Sequence, residues 1–334
     1  MLASIVENEE GISLFECLAG CNELAIFETD LIRDMIDYKW RTFAFYQHLA
    51  ALIVHISYVI VLIYYINFTY VEHREWDPVD EVMFISVHAD PYYNYWQGIC
   101  LLYPVFLETY RVKKTGVGYF FQMSNQLDLA HIFFGFLNIY YQIKVGPDVL
   151  SSQLILIFEC YLSLAKTFQF MKMVLAFSSI VTMIINVFLN LNNFVLYFLI
   201  QVVCFAMTFG IVARHDYNEY RHIGPFWGNC IYAMRLSLGN FDFSVFDNDM
   251  NGTDQVLFWF VWILMVLFSS MIFLTFVIAR VSDCYAEVKE TIDAVIYKER
   301  CGLIYETEEI MSDSEKKNNK IKFPRYIVAR EGEE

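Results

Sequence analysis

Long apolar runs separated by short polar segments dominate the chain. A helix that crosses a bilayer needs about 20 residues to cover about 30 Å of hydrocarbon. Runs of about that length occupy residues 43–66, 92–110, 127–143, 152–170, 194–212 and 255–279. The last run contains no charged residue, which favours a membrane span over a buried core helix. The pattern predicts an all-α membrane protein with six transmembrane helices.

A shorter helix is predicted between the fifth and sixth runs. Pro225 suits the first helical position, and Gly239 suits its end because glycine adopts left-handed conformations without steric cost. Residues 226–237 are too few to cross a bilayer. We therefore expect a re-entrant pore helix, since irregular backbone at membrane depth must line water or be buried in protein. An extracellular loop with one amphipathic helix stays open as the alternative.

The remaining organisation follows from the spacing of these helices and the polar segments between them. The helix after the sixth run is expected to continue to about residue 297, and a charged tail is expected from residue 302. The predicted divisions are a cytoplasmic linker (1–41), a four-helix sensor-like bundle (42–174), a connector helix (175–190), a pore domain (191–285, with the pore helix and filter at 224–243), and a cytoplasmic C-terminal helix and tail (286–334).

Composition and charge narrow the function classes. Hydrophobic residues make up 57% of the chain and charged residues 18%, against about 25% in soluble domains. The net charge of −15 argues against a nucleic-acid partner. Lysine and arginine cluster on the flanks that place both termini in the cytoplasm. Two N-x-T sequons, at Asn67 and Asn251, fall on the side predicted to be outside and are candidate glycosylation sites.

Cation chemistry is expected just after the pore helix. Backbone carbonyls there can replace part of an ion's hydration shell, and the helix C-terminus carries partial negative charge. Four acidic residues follow, and in a tetramer they would ring an outer mouth and concentrate cations. They are Asp242, Asp247, Asp249 and Asp254.

Three short motifs resemble transient receptor potential (TRP) channels and their polycystin relatives. Arg-x-x-Leu-Gly-Asn-Phe-Asp-Phe at 235–243 is similar to the pore segment of that family. Lys39-Trp40 resembles the Lys-Trp pair before the first helix of vanilloid-type members. Ile278-Ala279, followed by an Asp-x-Tyr-x-x-Val pattern, resembles the end of the last helix. The short segment between the first two helices resembles the vanilloid or ankyrin-type plan, whereas the filter letters look polycystin-like.

The resemblance implies roles for individual residues. It implies a selectivity filter at Leu238, Gly239 and Asn240, extended by Phe241 and Asp242, and a lower gate at Ile278 with Thr275 one turn above it. The family usually has aspartate where this chain has Asn240, which puts strong calcium preference in doubt. Arg280 stands at a usually apolar position and is expected to reach toward lipid headgroups. Arg235 is expected to brace the filter by pairing with an acid.

Charged residues in the first four helices raise two further questions. Glu108, Asn125 and Asp128 stand where some TRP relatives bind calcium, and their oxygen ligands suit that ion; ion pairs with Arg111 or Lys166 are the favoured alternative. A voltage sensor repeats Arg or Lys at every third position. In the fourth helix Lys166 and Lys172 stand alone, so we expect weak voltage dependence.

Together these features predict a cation channel subunit with a voltage-gated-like, TRP-type fold. The expected pore is a tetramer of identical subunits, or of this chain with related channel subunits; it is expected to be non-selective for permeant cations, and calcium permeability stays open. The alternatives are a non-conducting accessory subunit of such a channel, or a multi-pass receptor or transporter. No enzyme motif stands out, and His48 and His55 are expected to pack against aromatic rings. No cofactor is required, Ca2+ and bound lipid are the ligands the fold allows, and the plasma or ciliary membrane is the expected location.

Overall fold

The computed structural model describes residues 2–4, 14–21, 23–77, 82–85, 91–121, 123–212, 223–241, 252–311 and 326–328, and most of them are helical. The chain divides into two compact units. The first contains residues 1–181 and 292–334, and the second contains residues 182–291.

The first unit opens with short helices that lead into one long helical run. Helix α1 (Leu14–Gly20) and a 3-10 turn (Leu24–Glu28) precede α2 (Asp30–Lys39). A π-helical segment (Trp40–Ala44) joins α2 to α3 (Phe45–Ile66), and a second one (Asn67–Glu72) follows α3. The first predicted span is thus confirmed as a helix, within a run from Asp30 to Glu72.

The next helices complete a four-helix bundle. Helix α4 (Pro91–Thr115), a 3-10 segment (Gly116–Phe121), α5 (Met123–Lys144) and α6 (Leu150–Met171) follow in order, and α7 (Leu175–Asn190) is the predicted connector helix. Helix α3 packs on α4 and α6, and α5 packs on the same two helices. The bundle is therefore closed, with each helix touching two neighbours.

Two short antiparallel strand pairs also occur in the first unit. Strand β1 (Leu2–Ser4) pairs with β4 (Tyr326–Val328), and β2 (Arg74–Asp77) pairs with β3 (Val82–Ile85). The second pair lies in the short segment between α3 and α4, where no strand was predicted. Its backbone is anchored to the α5–α6 connection, because the Ile85 amide donates to the Asp148 carboxylate over 2.9 Å.

The second unit contains one short helix packed among longer ones. Its elements are α8 (Asn192–Val212), α9 (Pro225–Ser237), α10 (Gly252–Met265), a π-helical segment (Val266–Phe273) and the start of α11 (Leu274–Ile310). Helix α9 packs on α8 and on the π-helical segment. Their shared core is apolar and consists of Val202, Ala206, Phe209, Val212, Tyr232, Ala233, Leu236, Phe258 and Met265.

Helix α11 is longer than the sequence predicted. It ends at Ile310 rather than near residue 297, so the predicted start of the tail at residue 302 is wrong. Packing explains the extension, because Cys301 and Ile304 are fully buried in a cluster with Phe27 and Ile36. Those contacts join segments far apart in sequence, and the local charge pattern does not reveal them.

Four helical runs in the described part of the chain are long and apolar enough to cross a membrane: Asp30–Glu72, Leu150–Met171, Asn192–Val212 and Gln255–Ala286. This indicates a multi-pass membrane protein. Helices α4 and α5 have sufficient length but carry more polar residues.

Candidate functional site

The four-helix bundle exposes apolar side chains on its outer surface and buries polar side chains beside a small apolar cluster in its centre. On α4, Tyr92, Ile99 and Phe106 are 79%, 58% and 70% exposed, whereas Asn94 and Gln97 are completely buried. The other three helices repeat this arrangement. Their buried polar side chains are His48 and His55 on α3, Asn125, Asp128, His131, Asn138 and Gln142 on α5, and Ser152, Glu159 and Ser163 on α6.

A cavity of about 100 Å³ lies inside this bundle. Two of the three predicted calcium ligands, Glu108 and Asp128, line it and are buried. Glu108 accepts from Arg111 at 3.1 Å and from the Tyr119 hydroxyl at 2.5 Å. Asp128 pairs with Lys166. Both carboxylates therefore make the ion pairs that the sequence offered as the alternative to metal binding.

The third predicted ligand, Asn125, is also buried, and its side-chain amide donates to the Tyr119 carbonyl at 3.1 Å. Across the described residues, no group of three or more His, Cys, Asp or Glu side chains is arranged to hold a metal ion.

Glu159 is the centre of a buried cluster that the sequence did not single out. Its carboxylate accepts from the Tyr58 hydroxyl at 2.7 Å and lies 2.9 Å from His131 Nδ1. The His55 ring contacts the His131 ring with centroids 5.6 Å apart and lies 3.0 Å from the Thr167 hydroxyl. The sequence feature that could have revealed this cluster is the recurrence of polar residues at helical spacing within apolar runs. Ionisable side chains in such runs are default candidates for function.

The C-terminal end of α11 contacts α2 and the C-terminal end of α4 through charged side chains. Lys39 and Glu308 form a buried pair at 2.5 Å, and Arg111 donates to Glu306 at 3.1 Å. Burial raises the pKa of Glu306, but Arg111, His48 and Lys166 together outweigh burial and hold that pKa below its usual range. The His48 ring lies 3.0 Å from the Leu303 carbonyl and stacks on Trp40.

Helix α9 begins and ends as its residues predict. Gly224 precedes it at φ +93°, and Pro225 takes the first helical position. Gly239 closes it at φ +95°. The Leu238 amide donates to the Met234 carbonyl at 3.1 Å, and the Gly239 amide donates to the Leu236 carbonyl at 3.1 Å. The predicted filter residues Leu238 and Gly239 therefore form a tight turn at the helix C-terminus.

The side chains of the predicted filter residues Leu238, Asn240 and Phe241 are exposed. Leu238 is 63% and Phe241 is 41% exposed, and the Phe241 ring packs edge-on against Trp262 at 5.9 Å. Asn240 is exposed, and its amide donates to the Arg235 carbonyl at 3.0 Å. The Arg235 guanidinium lies within hydrogen-bond distance of the Asn240 side chain.

The predicted gate residues lie one turn apart on α11. Ile278 is 62% exposed, and the Thr275 hydroxyl donates to the Met271 carbonyl at 2.5 Å. Arg280 is exposed, with its guanidinium 5.9 Å from the Phe194 ring centroid. An exposed isoleucine at this position is available to a second subunit, a lipid or a pore.

Several predicted site residues lie outside the described residues: Asp242, Asp247, Asp249 and Asn251. Asp254 lies in α10, and only its backbone is described. Asn67 is exposed but donates to the Ile63 carbonyl at 3.1 Å. Thr69 of the same sequon is 1% exposed within the π-helical segment. All eight cysteines are described and carry free thiols.

No family model matches the chain, and no curated protein matches its sequence.

Proposed function

We propose that the chain is a subunit of a homotetrameric cation channel of the TRP type. In this proposal it spans the membrane six times, a re-entrant α9 precedes a filter at Leu238–Asn240, and Ile278 and Thr275 form the lower gate. Both termini are cytoplasmic. The observation that carries the proposal is α9, a short helix that ends in a glycine turn and packs against two helices able to span a membrane.

The dimensions of α9 support a re-entrant position. Its 13 residues extend about 20 Å, which is too short to cross about 30 Å of hydrocarbon. Six of them are buried, and the core they enter includes Phe209 of α8 and Phe258 of α10. If α8 and the run Gln255–Ala286, which includes most of α10, cross the membrane, α9 lies at membrane depth, where an exposed turn is tolerated when it lines water.

The inside-out pattern supports counting α4 and α5 as spans. Polar residues lower the average hydropathy of both helices, yet these residues face the bundle interior while aromatic and aliphatic side chains face outward. A lipid-exposed bundle requires that distribution, because hydrocarbon offers no hydrogen-bond partners. Charge pairing supports weak voltage dependence, since Lys166 contacts Asp128 and Lys172 contacts Glu299 at 2.8 Å. Such paired charges are poorly suited to move through the field.

Recording from the purified protein in planar bilayers tests the proposal, with subunit stoichiometry determined by cross-linking. We expect cation currents from tetramers. Asn240→Lys should abolish the current, because four added positive charges at the filter repel cations. Asn192→Lys, which changes an exposed asparagine at the start of α8, is the matched control and should conduct.

Silent bilayers with intact tetramers would favour a non-conducting accessory subunit instead. Monomeric protein would contradict the channel proposal altogether. Unchanged current in Asn240→Lys would contradict the filter assignment while leaving a channel in place.

A further inference from the structure

Arg235 and Asn240 are joined twice at the end of α9. The Asn240 backbone amide donates to the Arg235 carbonyl at 3.0 Å. The Arg235 guanidinium faces the Asn240 side chain, and because a guanidinium has donors only, the amide presents its oxygen. In that orientation the oxygen accepts from Nε at 3.1 Å and from Nη2 at 2.9 Å. A single oxygen therefore receives two hydrogen bonds from one fork.

We propose that Arg235 is a positioning residue that holds the Asn240 carboxamide oxygen and thereby sets the ion preference of the turn at 238–240. This inference rests on the proposed channel function and deepens it. We call the paired side chains the Arg–Asn clamp.

The planar fork of arginine suits this role. Hydrogen bonds from an ionised donor are stronger than neutral ones, and the fixed fork adds geometric specificity. The fork adds a side-chain contact to the backbone hydrogen bonds that hold the turn, in which Gly239 adopts φ +95°. Lysine keeps the charge but offers a point donor on a flexible stem, so it cannot reproduce the fork.

The clamp has a direct consequence for permeating ions. The Asn240 oxygen already accepts two hydrogen bonds, so it is a poor ligand for a passing cation. The positive charge of Arg235 lies within hydrogen-bond distance of Asn240 and weakens the attraction of cations to this turn in proportion to their charge. This loss of attraction is larger for divalent ions than for monovalent ions. The clamp therefore favours the permeation of monovalent ions, which contact backbone carbonyls.

A double-mutant cycle with calcium-to-sodium permeability as the readout tests this consequence. In Asn240→Asp the new carboxylate stays bound to Arg235, and the permeability ratio should change less than about twofold. In Arg235→Gln with Asn240→Asp the carboxylate is released, and the ratio should rise about tenfold, which corresponds to about 1.4 kcal/mol. An equal rise in Asn240→Asp alone would overturn the proposal.

Thermal unfolding in detergent tests the clamp without any current. Arg235→Gln and Asn240→Ala should each lower the Tm, and the double variant should lower it by less than the sum, because coupled partners share one interaction. Arg235→Lys should lose most of the stabilisation despite its charge. Additive shifts, or a wild-type Tm for Arg235→Lys, would overturn the clamp. Silent wild-type bilayers would overturn the channel function and the ion-preference claim, while this cycle still decides the contact.

Discussion

Charged side chains inside the first unit meet their partners at short range, and this determines what single substitutions should do. Glu159 is completely buried, yet it accepts from Tyr58 and faces His131. Lys39 and Glu308 are 3% and 5% exposed along their side chains. A buried charge without its partner costs more free energy than the intact pair contributes.

Removing the Glu159 carboxylate should destabilise the bundle. Glu159→Ala leaves the Tyr58 hydroxyl without its acceptor, which costs about 1–3 kcal/mol. Glu159→Gln keeps an acceptor oxygen and should lose less. Thermal unfolding in detergent should rank the wild type above Glu159→Gln and Glu159→Ala last. Glu28→Ala, at an exposed glutamate, is the control, and equal stability of the two alanine variants would contradict the role of the cluster.

Breaking the Lys39–Glu308 pair should cost more than replacing it. Glu308→Met leaves the Lys39 charge buried, and we expect a loss of about 3–5 kcal/mol. Adding Lys39→Met removes that charge and should restore most of the stability. Unfolding curves of the two single variants and the double variant measure the difference. A double variant less stable than Glu308→Met would show that the charge of Lys39 is satisfied elsewhere.

Helix α11 shows how an element can be held along one side by separate polar contacts. Glu306 contacts Arg111, the Thr115 hydroxyl donates to Glu309 at 3.0 Å, and Lys114 donates to the Met311 carbonyl at 3.2 Å. These contacts connect the end of α11 to the end of α4. They explain why the helix continues through a charged stretch that would fray in isolation.

Reversing the charge of Glu306 should release the end of α11. Glu306→Lys places two positive charges side by side, and like charges at this distance repel. Hydrogen exchange should show faster amide exchange over residues 300–311 with little change in α8 and α9. Asp293→Lys, which reverses an exposed carboxylate on the same helix, is the matched control. Unchanged protection in Glu306→Lys would mean that the apolar contacts of Ile304 suffice.

Helices with regular local signals were predictable from the sequence. Pro225 and Gly239 fixed the bounds of α9, and the apolar runs located α3 to α6 and α8 to within a few residues. The extension of α11 and the β2–β3 pair were missed, because contacts distant in sequence hold them. The pairing of Arg235 with an acid stays a prediction, whereas its contact with Asn240 was not foreseen. The direction of a side chain that follows a glycine with positive φ cannot be inferred from the spacing of residues in the sequence.

At the scale of the whole molecule, the connections of the bundle specify two ends. At one end, the Ile85 amide contacts Asp148 and the Tyr70 hydroxyl donates to the Pro147 carbonyl at 3.1 Å. At the other end, the hydroxyl of Thr115, the last residue of α4, donates to Glu309. If the bundle crosses a membrane, the two ends face opposite compartments.

Labelling with a membrane-impermeant thiol reagent tests that arrangement. In a variant lacking the exposed native cysteines, Glu75→Cys should react from outside intact cells, and Val117→Cys should react only after permeabilisation. Both positions are exposed in the structure. Reaction of both from the same side would contradict the proposed bundle topology and the proposed cytoplasmic position of the C-terminal segment.

The reversed polarity of the four-helix bundle also determines how the protein should fail when lipid is withdrawn. Its polar centre is shielded by the four helices, whereas its exposed apolar face needs lipid or detergent. Removal of detergent should therefore cause folded protomers to aggregate before the bundle unfolds, because large exposed apolar patches drive association. Protein lost during purification would then be aggregated but still folded. Adding lipid-like molecules should return it to solution without a refolding step.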